Sequence, residues 1–364
     1  MIFENIKYKF CYSDQDSFFN NIADIINQID NNVLLLRIVF FSIIDSNEDF
    51  FYKKEIIKNI LIKEYGINYP VFSLISQKPL GHKLVAEYCF CDNLNARNIS
   101  HSIKSHENER YIVMNGNSGK LILTGGIQGD INDSFSTQSE SVFNKMKDIL
   151  SNENMTFNNI LRQWNYIQDI TKYELDNQYY QIFNNVRSEY YNQVEWTNGY
   201  PAATGIGMQY GGLNIEFDAF DRSDSKVIIK PIDNNLQISA HKYSEDVLQY
   251  ANNNILTPKF ERAKEIIQNN ISTIYISGTA SIRGEQTINP NSVCEQLKIT
   301  LENINNLIGS RDISYLRIYL KNEKDYNQIH SELRKLYPII PLVFVKADVC
   351  RNNLLIEIEG IANE

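Results

Sequence analysis

Near its C-terminus the chain runs Asn353-Leu354-Leu355-Ile356-Glu357-Ile358-Glu359-Gly360-Ile361-Ala362, two carboxylates set into an otherwise apolar stretch. In the alternation of a strand, Leu355, Glu357 and Glu359 share one face, and Ile356 and Ile358 take the other. A carboxylate buried on such a face costs free energy unless it is paired or stays protonated, and a buried, protonated carboxyl is a proton donor. A strand at a sheet edge with one wet face would need no such account. What sets this strand apart is that the chain holds two others like it.

The dipeptide Tyr-Pro occurs three times, at Tyr69-Pro70, Tyr200-Pro201 and Tyr337-Pro338. Each lies between a helical pattern and two strand patterns, where proline suits a strand start. Leu36-Arg37-Ile38-Val39-Phe40 precedes the first, Gln163-Trp164-Asn165-Tyr166-Ile167 the second and Leu316-Arg317-Ile318-Tyr319-Leu320 the third. The closing strands also correspond: Lys83 to Tyr88 with Glu87, Gly212 to Asp218 with Glu216, and Asn353 to Glu359 with Glu357. Gly125 and Gly278 share a spacing with Tyr166 and Tyr319. After each glycine comes an amphipathic helix, apolar at Val142, Met146 and Ile149 and at Leu297, Leu301 and Ile304. The reading is α+β: three repeats, each strand(s)-helix-strand-helix-strand-strand, assigned to 1–104, 105–264 (with an extended connection) and 265–364.

Composition sets the outer bounds. The 364 residues are 43% hydrophobic and 22% charged, ordinary for a globular protein, with a net charge of −9 and a pI near 5.2. That balance argues against nucleic acid or an anionic membrane as main partner, so an anionic substrate would need a local basic pocket. The N-terminal Met1-Ile2-Phe3-Glu4-Asn5 lacks the basic-then-apolar pattern of a signal peptide. Val33 to Ile44 is short and carries Arg37, so it reads as a buried strand and not a membrane span. The five cysteines show no zinc spacing, and the histidines no shared spacing, so neither metal nor cofactor is expected; reduced thiols suit a cytoplasmic protein.

The repeat unit resembles the Rid (YjgF-like) subunit, a family of homotrimers with ligand sites between neighbours, which implies a single-chain pseudo-trimer, a monomer in effect. The last two repeats are more specific. Asn198 to Gly207, Pro258-x-Phe260-x-Arg262-Ala263, Ser277-Gly278-Thr279-Ala280-Ser281-Ile282, Asp348-x-Cys350-Arg351 and Leu354 to Gly360 resemble the signatures of the chorismatases. Arg162 to Tyr166, Arg187, Ala240-His241-x-Tyr243 and Gln296 extend the likeness over roughly residues 120–362. It implies an enzyme that releases pyruvate from chorismate, without a cofactor, at a cleft between the second and third repeats. Glu357 matches the catalytic glutamate and is expected to protonate the enol ether, with Glu359 orienting it or meeting solvent.

Chorismate is a dianion, and planar guanidinium groups suit its carboxylates. Arg187, Arg262, Arg317 and Lys321 are the candidates to hold them. Gly278, Thr279 and Ser281, with Thr204 and Gly205, offer close backbone approach and hydroxyl donors, and Tyr200 a phenol. Two small positions track product in the family: an Ala/Ala pair goes with the dihydroxycyclohexadiene carboxylate, a Gly/Cys pair with 3-hydroxybenzoate. This chain has Ala263 and Cys350, and the thiol favours 3-hydroxybenzoate, with the diene diol and 4-hydroxybenzoate as alternatives. One departure is Glu285, which stands where the family has histidine. The rival readings are a Rid-type imine deaminase and a non-catalytic ligand-binding protein. The first needs an arginine just after the proline, yet Val71-Phe72, Ala202-Ala203 and Ile339-Ile340 stand there.

Overall fold

The computed structural model describes residues 2–92, 99–244 and 256–364. Beside two two-stranded ribbons, three larger sheets carry the described residues, and each is built on one strand order. In the first it is Ile6–Ser13, Leu84–Cys91, Leu34–Ser42, Val71–Ile75. The second repeats it as Gly119–Thr124, Leu213–Arg222, Ile160–Gln168, Ala202–Met208, and the third as Ile271–Ala280, Ile356–Asn363, Asp312–Leu320, Leu342–Lys346. In every case the last two strands pair in parallel, because a helix carries the chain back across the sheet: Asn47–Tyr65, Tyr179–Tyr191 or Tyr326–Leu336. The fold is thus α+β, a single-chain pseudo-trimer of three like units. The third sheet also recruits Ala263–Gln268 and, upstream of it, Ile228–Ile232.

Each unit buries one sheet face under its own helices. The apolar stripe of Phe135–Asn152 (Val142, Met146, Ile149) and that of Val293–Ile308 (Leu297, Leu301, Ile304) are both buried in such layers. Serine starts four of the helices: the side chains of Ser17, Ser46, Ser134 and Ser292 accept from the amides of Asn20, Asp49, Thr137 and Glu295. The opposite sheet faces meet at the centre, where Val39 and Phe41, Trp164 and Tyr166, and Tyr319 and Val343 form one cluster from all three units.

Charge also runs through this centre, in a repeating pattern. Arg37, Arg162 and Arg317 occupy the same place in their strands and are all buried. Arg37 of the first unit reaches Asp218 of the second at 2.6 Å and Glu216 at 3.9 Å. Arg162 of the second reaches Glu359 of the third at 2.5 Å. Arg317 of the third closes the ring on Glu87 of the first at 2.5 Å, and touches Glu359 in its own unit at 2.8 Å. Every seam between sheets is therefore bridged by a desolvated ion pair, and removing one partner strands the other charge. Arg37→Met is expected to destabilise the protein by about 3–5 kcal/mol, read by denaturant unfolding. An unchanged midpoint would mean that the seam does not depend on the pair.

Candidate active site

Ile356–Asn363 lies inside the third sheet, flanked by Ile271–Ala280 and Asp312–Leu320, and is not an edge strand. Its alternation is as the sequence implies: Ile356 and Ile358 enter the helix-covered core, and Glu357 and Glu359 face the molecular centre. Pairing across each sheet fixes the correspondence. Glu87 sits opposite Val39, Glu216 opposite Trp164 and Glu357 opposite Tyr319, each two residues beyond its unit's buried arginine.

The two glutamates have opposite surroundings. Glu359 receives Arg162 and Arg317, the Trp164 indole N–H at 3.1 Å, the Tyr319 hydroxyl at 2.9 Å and the Thr204 hydroxyl. Burial pushes its carboxyl up, but Arg317 and Arg162, with hydrogen bonds from Thr204 and Tyr319, overcome that and hold it below the ordinary carboxylate range. Among the described residues, the Glu357 carboxyl has no ion-pair or hydrogen-bond partner. Burial first, and the Glu359 charge second, raise it to about 8 against the pull of Arg162 and Arg262. The two carboxyls are thereby pushed in opposite directions, Glu359 toward the anion and Glu357 toward the neutral form.

Glu357 looks into a cleft between the second and third units, with about 860 Å³ between its walls, part of it open to solvent. Gly278 supplies the close approach: a Cβ there would lie 2.1 Å from Glu357 Oε1. At Gly205 a Cβ would lie 2.7 Å from the Tyr180 ring. Thr204 stands behind this wall and uses its hydroxyl fully. It accepts from Arg162 at 2.6 Å and from the Gly278 amide at 3.0 Å, and donates to Glu359.

Three guanidinium groups line the cleft, and among the described residues none has a carboxylate partner. Arg187 is 1% exposed; it donates to Asn184 Oδ1 at 2.5 Å, its Nε has no partner, and burial lowers its pKa. Arg262 donates to the Tyr243 hydroxyl at 2.5 Å and the Ile238 carbonyl at 2.8 Å, and its Nε is also buried without a partner. Arg351 donates to the backbone carbonyl of Glu285 at 2.8 Å. Glu285 itself is tied down by the amide and hydroxyl of Ser244, at 2.8 and 2.5 Å, so the residue in the histidine's place anchors an arginine of the wall. Cys350 lines the cleft too, its thiol pushed up to about 12 by burial and then by Glu357.

Other sequence candidates fall elsewhere. Arg317 points to the centre as its strand position implies, but Glu87 and Glu359 already occupy it, so it is a seam residue and does not line the cleft. Lys321 donates to the Asn352 carbonyl at 2.8 Å, also outside the cleft lining. Ala263 is buried in the helix-covered core of the third unit, with Ile276 as its strand partner, and does not join Cys350 in the wall. Thr279 and Ser281 spend their hydroxyls on the carbonyls of Ser277 and Ile288. Tyr200 packs near Tyr191 and Trp196.

The sequence reading did not single out Tyr180, Asn184, Tyr243, Phe260 and Arg351 as site residues. Arg351, Phe260 and Tyr243 stand inside motifs already quoted. Tyr180, Asn184 and Arg187 make a polar i, i+4, i+7 stripe on one helix, a pattern that could have been read. Among the described residues, no group of three or more His, Cys, Asp or Glu gathers as a metal site, and no helix is long and apolar enough to cross a membrane.

Residues 99–219 match the N-terminal domain model of FkbO/Hyg5-like chorismatases. A 3-hydroxybenzoate synthase of Streptomyces hygroscopicus is 27% identical over 230 residues, 57% of this chain and 65% of the relative. A chorismatase of Streptomyces rapamycinicus is 27% identical over 178 residues, 44% of this chain and 50% of the relative. The matched stretches thus span between half and two-thirds of these relatives' lengths. A crystal structure of chorismatase superposes with a TM-score of 0.71 over 98% of this chain and 99% of that one, at 15% identity.

The carboxyl of Glu357 is expected to titrate near pH 8 in the ligand-free protein, read by carbon NMR of labelled glutamate. Glu359→Gln removes the like charge and should move that titration down. A wild-type value in the ordinary carboxylate range would remove the proton donor from this site.

Proposed function

We propose that this chain, which resembles the chorismatases in sequence and shares their fold, is a chorismatase that releases pyruvate from chorismate. The observation that carries this reading is a Glu357 carboxyl raised to about 8 that faces a cleft whose three guanidinium groups have no carboxylate partner among the described residues. A buried cation without a counter-ion is costly, so a dianionic ligand is a fitting counter-charge for this cleft. Arg187, Arg262 and Arg351 hold the two carboxylates. Glu357 then delivers its proton to the terminal methylene carbon of the enol ether, and the ether carbon becomes an oxocarbenium ion. Addition of water there and cleavage of the ether give pyruvate. Glu359, already an anion, keeps Glu357 protonated at neutral pH and steadies the positive charge that develops.

Retention of the ring hydroxyls gives the diene diol. Loss of the 4-hydroxyl as water, with the ring becoming aromatic, gives 3-hydroxybenzoate. The second outcome is favoured because Cys350 fills cleft space that would otherwise hold a water, and the Streptomyces hygroscopicus relative is named for that product. The steps are redox-neutral and use groups the chain supplies. All five cysteines are free, which suits the cytoplasm, and one chain provides every seam, so it is taken to act as a monomer.

Incubation with chorismate, with pyruvate read by a coupled assay and aromatics by chromatography, is expected to give pyruvate and 3-hydroxybenzoate. Absence of pyruvate would overturn the reading. Glu357→Gln should lower turnover by about a thousandfold or more while folding normally. The sign of the pH effect follows from a raised carboxyl: the acid form is present below about pH 8 and lost above it, so kcat/KM should fall on the alkaline side. Cys350→Ala should shift product toward the diene diol, and an unchanged ratio would remove the thiol from product control.

A further inference from the structure

The seam between the first and second units is the pseudo-symmetric counterpart of the one that holds Glu357, and it too has a cavity. About 1240 Å³ lies between its walls, part of it open to solvent. Its parts correspond to those of the first cleft. Lys54 and Lys58 come from Asn47–Tyr65, the counterpart of the helix that carries Asn184 and Arg187. Phe72 follows its Tyr-Pro proline by two residues, as Ala203 does, and Gly125 stands where Gly278 stands.

The acid is missing. Glu216, the counterpart of Glu357, is buried beside Arg37 and does not line the cavity. The backbone closes over it, with the Gly126 amide donating to the Phe72 carbonyl at 3.3 Å. The lining balances in number, Lys54, Lys58 and Arg110 against Glu55, Glu109 and the exposed Glu107, but not in pairing. Glu109 is taken by Lys145 at 2.9 Å, and Glu55 by Lys58 at 3.5 Å. Lys54 and Arg110 have no carboxylate partner among the described residues. The Lys54 amine donates to Gln128 Oε1, and burial lowers its pKa. Arg110 lies 3.8 Å over the Tyr69 ring and donates to the carbonyls of Ile67 and Tyr69, both at 3.0 Å, while its Nε is buried without a partner.

We propose that this cleft is a second, non-catalytic site for a small aromatic carboxylate, whose charge is held by Lys54 and Arg110 and whose ring rests against Phe72. The inference concerns binding alone and stands or falls separately from pyruvate release. Benzoate titrated into the full chain by calorimetry is the test, with Arg187→Gln used to weaken the first cleft. The Arg187→Gln protein is expected to keep one benzoate site. Adding Lys54→Gln or Arg110→Gln should weaken that site by about tenfold or more, with circular dichroism and melting unchanged for at least the Lys54 variant. Lys54→Gln alone should turn over chorismate as the wild type does. Loss of all benzoate binding in Arg187→Gln, or binding indifferent to both Lys54→Gln and Arg110→Gln, would overturn the proposal.

Discussion

The structure turns on a buried arginine that each unit offers to a carboxylate of the next. Three sheets that cover one face with helices still have an apolar central face to bury, and apolar burial alone does not fix how they align. A desolvated guanidinium–carboxylate pair does, because misalignment leaves two charges in a low-dielectric interior. The order Arg37 to Asp218, Arg162 to Glu359 and Arg317 to Glu87 makes the arrangement cyclic, and the same pairing occurs at each seam. Trp164 reinforces it, with the Arg37 and Arg162 guanidinium groups 4.8 and 4.6 Å from its ring.

The candidate site follows from how the three seams differ. At the first position of the acidic pair stand Glu87, Glu216 and Glu357; at the second stand Cys89, Asp218 and Glu359. With Cys89 in the second place, Arg317 must take Glu87. With the shorter Asp218, Arg37 takes it and still lies 3.9 Å from Glu216. Glu359 takes Arg162, which also donates to Thr204, and takes Arg317 as well, and so Glu357 is left over. A carboxyl spared from the seam, buried and next to an anion, has only protonation to stabilise it. The acid is thus a by-product of satisfying the ion pair beside it.

This explains what could be read from the chain alone. The three Tyr-Pro units and the closing strands with their glutamates are local patterns, and the register across each sheet agrees with them. That Glu357 lies on the face away from Ile356 and Ile358 was legible because strand alternation admits only two answers. Arg317 was misread for the same reason: alternation points it correctly toward a seam but says nothing about which seam is already filled, and Glu87 is more than two hundred residues away in sequence. Ala263 illustrates the other limit. A motif position can be carried over by resemblance, but whether its side chain meets the cleft or the helix layer depends on the face its strand presents. Arg351 was visible in its motif yet not singled out, since its significance lies in having no carboxylate partner among the described residues, a property of the folded chain.

A chain of net charge −9 that gathers unpaired guanidinium groups in one place raises a question of magnitude. Long-range repulsion of an anion by the surface is screened within about 8 Å at physiological salt, whereas charges inside a partly desolvated cleft are screened far less. Local charge therefore decides, and there it is positive: three guanidinium groups face a neutral Glu357, while the Glu359 anion is already offset by two arginines of the seam. An arriving carboxylate relieves the desolvated cations and at the same time raises the cost of ionising Glu357. Binding and protonation thus favour one another by linkage, so the occupied cleft holds its acid more firmly than the empty one.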